Sequence, residues 1–179
     1  MDHPPPHSFS RSPVEEVFCR CSCGSGAESR SLTIPPPYPG WPHIRDAIRD
    51  MVAGAVEVSW ITGCTISYTD LLPVVDGTDL PGTGDIVDLL SGRFDCSLDR
   101  KGNEILFIST LIPDTAGSVC SVLNRPNKPG WTLVFTMKTD RPAGFVSGES
   151  VMNWFSDARA EIHMLFDLIV PEEIVRTLR

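Results

Sequence analysis

Across residues 147–170 the apolar positions fall at Val151, Trp154, Phe155, Ala158, Ile162, Leu165, Phe166 and Ile169. This i, i+3, i+4, i+7 recurrence is that of one continuous helical stripe. Such a stripe has to lie on another apolar surface. Ser147 is placed to cap the helix, Glu149 puts a carboxylate in its first turn, and Pro171 ends it by bringing no amide hydrogen to the ladder.

Upstream the pattern changes from helical to alternating, which is the signature of strands. From Val14 to Cys23, Val17, Cys19, Cys21 and Cys23 point one way and Glu16, Arg20 and Ser22 the other, with Phe18 interrupting the polar side. Gly24-Ser25-Gly26 turns the chain, and Ser31 to Ile34 returns as a short partner. Ala55 to Thr69 alternates most cleanly, with Val56, Val58, Trp60, Cys64, Ile66 and Tyr68 on one face and a bulge or bend expected at Gly63. A meander follows: Phe94, Cys96 and Leu98 in one strand, a turn at Lys101-Gly102-Asn103, then Ile105 to Ile112. A loop over 113–117 leads to Val119–Leu123, and Trp131 to Lys138 completes it with Trp131, Leu133, Phe135 and Met137 inward. Ile105-Leu106-Phe107-Ile108 is apolar on both faces, so this strand is expected to be central and covered twice, or part of an interface.

Shorter helices punctuate the strands. Pro35-Pro36-Pro37-Tyr38-Pro39-Gly40-Trp41-Pro42 reads as an extended lead-in that packs its aromatics on the core, with Pro42 in the first turn of a helix through Ile44, Ala47, Ile48 and Met51. Thr83 is placed to cap a turn carrying Ile86, Val87, Leu89 and Leu90, and Pro171-Glu172-Glu173 opens a last helix through Ile174, Val175 and Leu178. The pattern predicts an α+β fold: a mainly antiparallel sheet with a long C-terminal helix packed across one face. Residues 1–12, rich in Pro, Ser and His, are expected to be a disordered tail, and 13–179 a single domain.

Composition narrows the functional classes. With 179 residues, 41% of them hydrophobic, the chain is long enough to bury a core unaided. No apolar run is long enough to span a bilayer, and Met1-Asp2-His3-Pro4-Pro5-Pro6 lacks the order of a secretory signal, so a cytoplasmic setting with reduced thiols is expected. The net charge of -8 is spread along the chain without a Lys/Arg cluster, which disfavours nucleic acid and suits a basic protein partner.

Chemistry-bearing residues are present without a motif that combines them. Cys19, Cys21 and Cys23 alternate on a strand, spreading same-side thiols about 6.8 Å apart, so they read as small buried hydrophobes rather than metal ligands. The run from Asp76 to Asp85 has the letters of a calcium loop but not its spacing, and turn chemistry accounts for it. A histidine third from the amino terminus belongs to the tail. His163 has Asp167 four residues on, a pairing common on helix surfaces and unaccompanied by a nucleophile; Asp95 and Asp99 read as solvated carboxylates. No catalytic residue, metal ligand or cofactor is assigned.

Three segments, in order, resemble a sporadically distributed family of prokaryotic proteins of uncharacterised function. Tyr38-Pro39-Gly40-Trp41-Pro42-His43-Ile44 is similar to the family's Y-x-G-W-x-x-F segment, Cys64 to Leu71 to its strand ending R-Y-x-N-x-I, and Glu161 to Phe166 to its closing H-x-x-I-x-x-x-F helix. Ser67 stands where the family has arginine, Asp70 where it has asparagine, and the family's longer N-terminal half is shortened here. The resemblance implies the fold and supplies no activity.

Two functions of different class follow. One is a non-enzymatic interaction or regulatory subunit of a larger assembly, holding a protein partner or a second copy through Leu106, Ile108 and Ile112 or through Tyr38 and Trp41. The other is a helix-grip-like domain with an apolar small-molecule pocket between sheet and helix, lined by Trp60, Tyr68, Phe107, Phe135, Met137 and Trp154.

Overall fold

The computed structural model describes residues 13–24, 28–54, 61–81, 85–86, 88–89, 99–101, 104–107, 115–124, 130–139 and 145–178, with 99–124 described by backbone and register. The expected tail, residues 1–12, lies outside them, as do Trp60, Ile108, Ile112 and the whole of the strand expected from Phe94 to Leu98.

The strands are β1 (Val14–Cys23), β2 (Glu28–Ile34), β3 (Ile61–Leu72), β4 (Asp99–Lys101), β5 (Glu104–Phe107), β6 (Thr115–Asn124) and β7 (Trp131–Thr139). The helices are α1 (Trp41–Ala53), the long α2 (Gly148–Ile169) and α3 (Glu172–Leu178). All the strands join one sheet in the order β2-β1-β3-β7-β6-β5-β4, every pairing antiparallel. The fold is α+β, as the pattern predicts. Two expectations are corrected: the apolar strand at Ile105 is β5, one place from the edge, with β7 at the centre, and the loop expected over 113–117 is already strand from Thr115.

Alternation decides which face is core. Val17, Cys19 and Cys21 of β1, Cys64, Ile66, Tyr68, Asp70 and Leu72 of β3, and Leu133, Phe135 and Met137 of β7 are buried. Register sets them in rows: Val17 beside Tyr68 beside Phe135, and Cys19 beside Ile66 beside Met137. A bulge at Thr62, next to Gly63, shifts the register so that Cys23 meets Ile61, and the Thr62 hydroxyl anchors it on the Gly24 carbonyl at 3.0 Å. β3 runs on to Leu72 with its alternation intact, paired with β7 as far as Leu72 opposite Trp131, and the Leu71 amide donates to the Pro13 carbonyl at 2.8 Å.

The long helix α2 packs on β3 and β7 beside α1. All eight residues of the predicted stripe are buried, joined by Met152 and Glu161. Ser147 caps it reciprocally with Ser150, each side chain meeting the other's backbone amide at 3.1 Å. α1 starts after Gly40, carries Pro42 in its first turn and buries Ile44, Ile48 and Val52. Gly40 has φ 86 and ψ 158, a backbone state that is essentially glycine's alone, so it sets the angle at which the lead-in meets α1. The Pro36–Pro37 peptide in that lead-in is cis.

Candidate functional site

The lead-in, β3 and α2 meet at one point. Tyr38 and Trp41 come from the first, Tyr68 from the second, and Arg159 and His163 from one face of the third, four residues apart. The Tyr68 ring lies edge-on between two others: its centroid is 6.3 Å from that of Tyr38 and 6.2 Å from that of His163, with interplanar angles of 60° and 65°. The Arg159 guanidinium stands 5.0 Å above the Trp41 ring, a cation–π contact. Tyr68 is the buried floor, and the other four residues are half-buried around it.

What sets this cluster apart from ordinary core is its unmet polarity. The buried hydroxyls of Tyr38 and Tyr68 turn to each other, and Nε of Arg159 and Nε2 of His163 are buried atoms without a hydrogen-bond partner. Each such group costs about 1–3 kcal/mol relative to a satisfied one. No carboxylate among the described residues pairs with Arg159; the ion pairs found, Arg49 with Asp46 and Arg176 with Glu172, are exposed helix-surface pairs.

Titration follows from the same surroundings. Burial, reinforced by the Arg159 cation, holds His163 down to about 4, so the imidazole is neutral at physiological pH. Burial first, then Tyr38 beside it, pushes the Tyr68 phenol above its ordinary value, so it stays a hydroxyl. Two residues further along the same face of β3, Asp70 is 3% exposed, and burial raises its carboxyl to about 7.

Cysteines gather at the other end of the same face. Cys19, Cys21 and Cys64 are buried at 0, 1 and 2% exposure. Cys21 sits directly opposite Cys64, and the two thiols share a hydrogen bond that, with burial, holds Cys64 protonated. Burial and the neighbouring Cys21 push Cys19 up to about 12. Cys19 and Cys64 are thus held as thiols, while the hydrogen bond with Cys64 lowers Cys21, and among the described residues no group of His, Cys, Asp and Glu is placed to hold a metal ion.

The residues singled out from sequence divide accordingly. Tyr68, Phe135, Met137 and Trp154 are all core, at 2, 1, 0 and 6% exposure, which leaves no water-sized space against Phe135 and Met137. The expected apolar pocket is filled at those positions. Phe107 and Leu106 are placed by register opposite Ser118 and Val119. Tyr38 and Trp41 pack against the core, as expected of the lead-in, and each is half-buried. His163 turns its ring to Tyr68, while Asp167 is at the exposed surface. Arg159 and Asp70 were not legible as site residues; the signal for Arg159 was its i, i+4 spacing from His163, and for Asp70 its parity with Tyr68.

Fold and site define a class: a one-sheet antiparallel α+β domain gripping a polar cluster between its lead-in, its sheet and a C-terminal helix. No family model matches the chain, and neither a curated protein nor a solved structure matches it. No helix among the described residues is long and apolar enough to cross a membrane.

Proposed function

We propose that the protein is a non-enzymatic small-molecule-binding domain whose ligand docks on the Tyr38–Tyr68–Arg159–His163 cluster. The observation that carries the proposal is the meeting there of Tyr38, Tyr68, Arg159 and His163 from three separate parts of the chain, with Nε of Arg159 and Nε2 of His163 buried and without a hydrogen-bond partner. A site built only for stability would hold apolar side chains of similar shape, since unmet polar groups lower the stability of the empty fold. A ligand bearing acceptors recovers that free energy on binding. Kinship with the uncharacterised prokaryotic family belongs to the same proposal, because its three resembling segments supply Tyr38 and Trp41, Tyr68, and His163. A cytoplasmic setting, with thiols reduced, completes it.

Native mass spectrometry of protein purified gently from its own host tests this. The expected spectrum shows a small-molecule adduct on the wild-type chain that is absent from the Tyr38→Phe/Tyr68→Phe double variant. A wild-type chain without an adduct, or an adduct that survives the double substitution, overturns the assignment.

The second reading, a subunit that holds a protein partner or a second copy, draws on the edge strand β2. Among the described residues it pairs with β1 alone and is exposed along most of its length, so an added strand would find its backbone groups presented. Sedimentation velocity at micromolar concentration separates the two: a monomer in the presence of host lysate fractions removes this second reading.

A further inference from the structure

We infer that Cys21 and Cys64 form a modification site, converted to a cross-strand disulfide by a small-molecule disulfide of the glutathione type. The inference stands apart from the ligand reading above and begins with strand register. β1 and β3 run antiparallel with Cys21 directly opposite Cys64, and both side chains lie on the buried face. The amides tell which kind of pair this is. In an antiparallel strand a residue's N–H and C=O point to the same neighbour, and consecutive residues point to opposite neighbours. The Cys64 amide donates to the Thr139 hydroxyl of β7 at 3.1 Å, whereas the Leu71 amide, an odd number of residues away, donates to Pro13 just ahead of β1. Cys64 therefore sends no backbone bond to β1, and it faces Cys21 as a non-hydrogen-bonded pair.

Such a pair has its Cα atoms about 4.5 Å apart and its side chains close, inside the span of about 4.4–6.8 Å that a disulfide bridges. The two thiols already meet in a hydrogen bond. Among the described cysteines no other is so placed. Cys19 stands opposite Ile66, Cys23 opposite Ile61, and Cys120 opposite Ile105 and Phe135. Neighbours on one face of β1 are about 6.8 Å apart with their Cα–Cβ bonds side by side, and the diagonal from Cys19 to Cys64 is about 7–8 Å.

The chemistry is thiol–disulfide exchange. The Cys21 thiolate, favoured by the hydrogen bond from Cys64, attacks one sulfur of the reagent; the reagent's S–S bond breaks, and the departing thiolate takes up a proton. Cys64 then gives up its proton, attacks the Cys21 sulfur of the mixed disulfide and releases the second small thiol. Two protein thiols and one small disulfide become one protein disulfide and two small thiols. Both protein sulfurs are closed to water in the fold, so the first step waits for the end of β1 to lift from β3. Ser22 opposite Gly63 and Cys23 opposite Ile61 are the last described pairs beyond the cysteines, and Cys64 keeps its bond to Thr139 while β1 lifts. The finished bridge closes a loop that holds β2, the lead-in and α1, which restricts the unfolded chain.

The test incubates the full reduced chain with excess oxidised glutathione in native buffer at pH 8, quenches with iodoacetamide at intervals and maps tryptic peptides by mass spectrometry. The expected product is lighter by two hydrogens, carries no glutathione and joins peptide 21–30 to peptide 50–93. Peptide 21–30 holds both Cys21 and Cys23, so Cys23→Ser is run alongside and should bridge as the wild type does. Cys64→Ala should stop at a glutathione adduct on Cys21. Should that variant not fold, the wild-type and Cys23→Ser maps decide the pairing. The bridged chain should melt about 5–10 °C higher than the reduced one, a gain that dithiothreitol reverses. A glutathione adduct that never resolves, or a bridge through Cys19, Cys23, Cys96 or Cys120, overturns the inference. So does a native chain left unoxidised under conditions that oxidise the same chain in urea, or a bridged chain that melts no higher than the reduced one.

Discussion

Asp70 and His163 are held away from their ordinary titration ranges in opposite senses, and both shifts are statements about stability. In the unfolded chain Asp70 ionises near its ordinary 3.8, whereas in the fold burial keeps it protonated to about 7. Between those values the folded state carries the extra proton, so stability falls as pH rises. His163 titrates near 6.5 unfolded and about 4 folded. There the unfolded state carries the extra proton, so stability rises with pH across that window. The two slopes oppose each other up to about pH 6.5, and the wild-type profile should be nearly flat there. Asp70→Asn removes one of them. Its stability should climb between about pH 4 and 6.5 and exceed wild type above pH 7 by up to about 4 kcal/mol, the free-energy equivalent of the carboxyl shift. His163→Gln should do the reverse, losing stability steadily from about pH 4 to 7. Urea denaturation at half-unit pH intervals checks both; a flat Asp70→Asn profile would contradict the downward shift of His163, and a wild-type profile running parallel to that of Asp70→Asn would contradict the upward shift of Asp70. Asparagine is also the residue that the resembling family carries at that place, so the substitution replaces a buried acid by a neutral side chain of the same size.

At the scale of elements, the ends of β3 and β7 are pinned by backbone geometry that side-chain patterns do not show. Gly130, at φ 129 just ahead of β7, lies so close to β3 that a Cβ there would run into the Leu72 carbonyl oxygen. Gly130→Ala therefore meets both an unfavourable backbone angle and a clash with a backbone atom that cannot swing aside. A loss of about 1–3 kcal/mol is expected, read as a lower denaturation midpoint. The elements themselves were largely legible. β1 spans Val14–Cys23 and β7 starts at Trp131, both as the alternation predicts, because one face of each is buried and the other is wetter. The helix stripe was read residue by residue, since a 22-residue amphipathic run with its cap and its proline stop has one solution. β5 was misplaced for a physical reason: an apolar run of a few residues reports that both faces are covered, but not how many strands lie beyond it.

For the whole molecule, the strand order puts β3 and β7 in the middle and β2 and β4 at the edges. Both central strands are also the ones on which α2 packs. Amide hydrogen exchange should follow that arrangement: slowest in 64–72 and 131–137, fastest in 28–31, where the strand is exposed. Fast exchange in the middle of β3 would contradict the order. Sequence alone determined the helices α1, α2 and α3, the bounds of β1, the start of β7, the class of fold and the inward side of β1 and β3, because those depend on the period of apolar residues along a few consecutive positions. Only the tertiary structure decided that Tyr38, Tyr68, Arg159 and His163 come together in one cluster and that Cys21 faces Cys64. It alone also showed that Asp70 has no water to ionise into. Each of these joins segments tens of residues apart, through strand order and register, and periodicity within a segment carries no record of which neighbour it will meet.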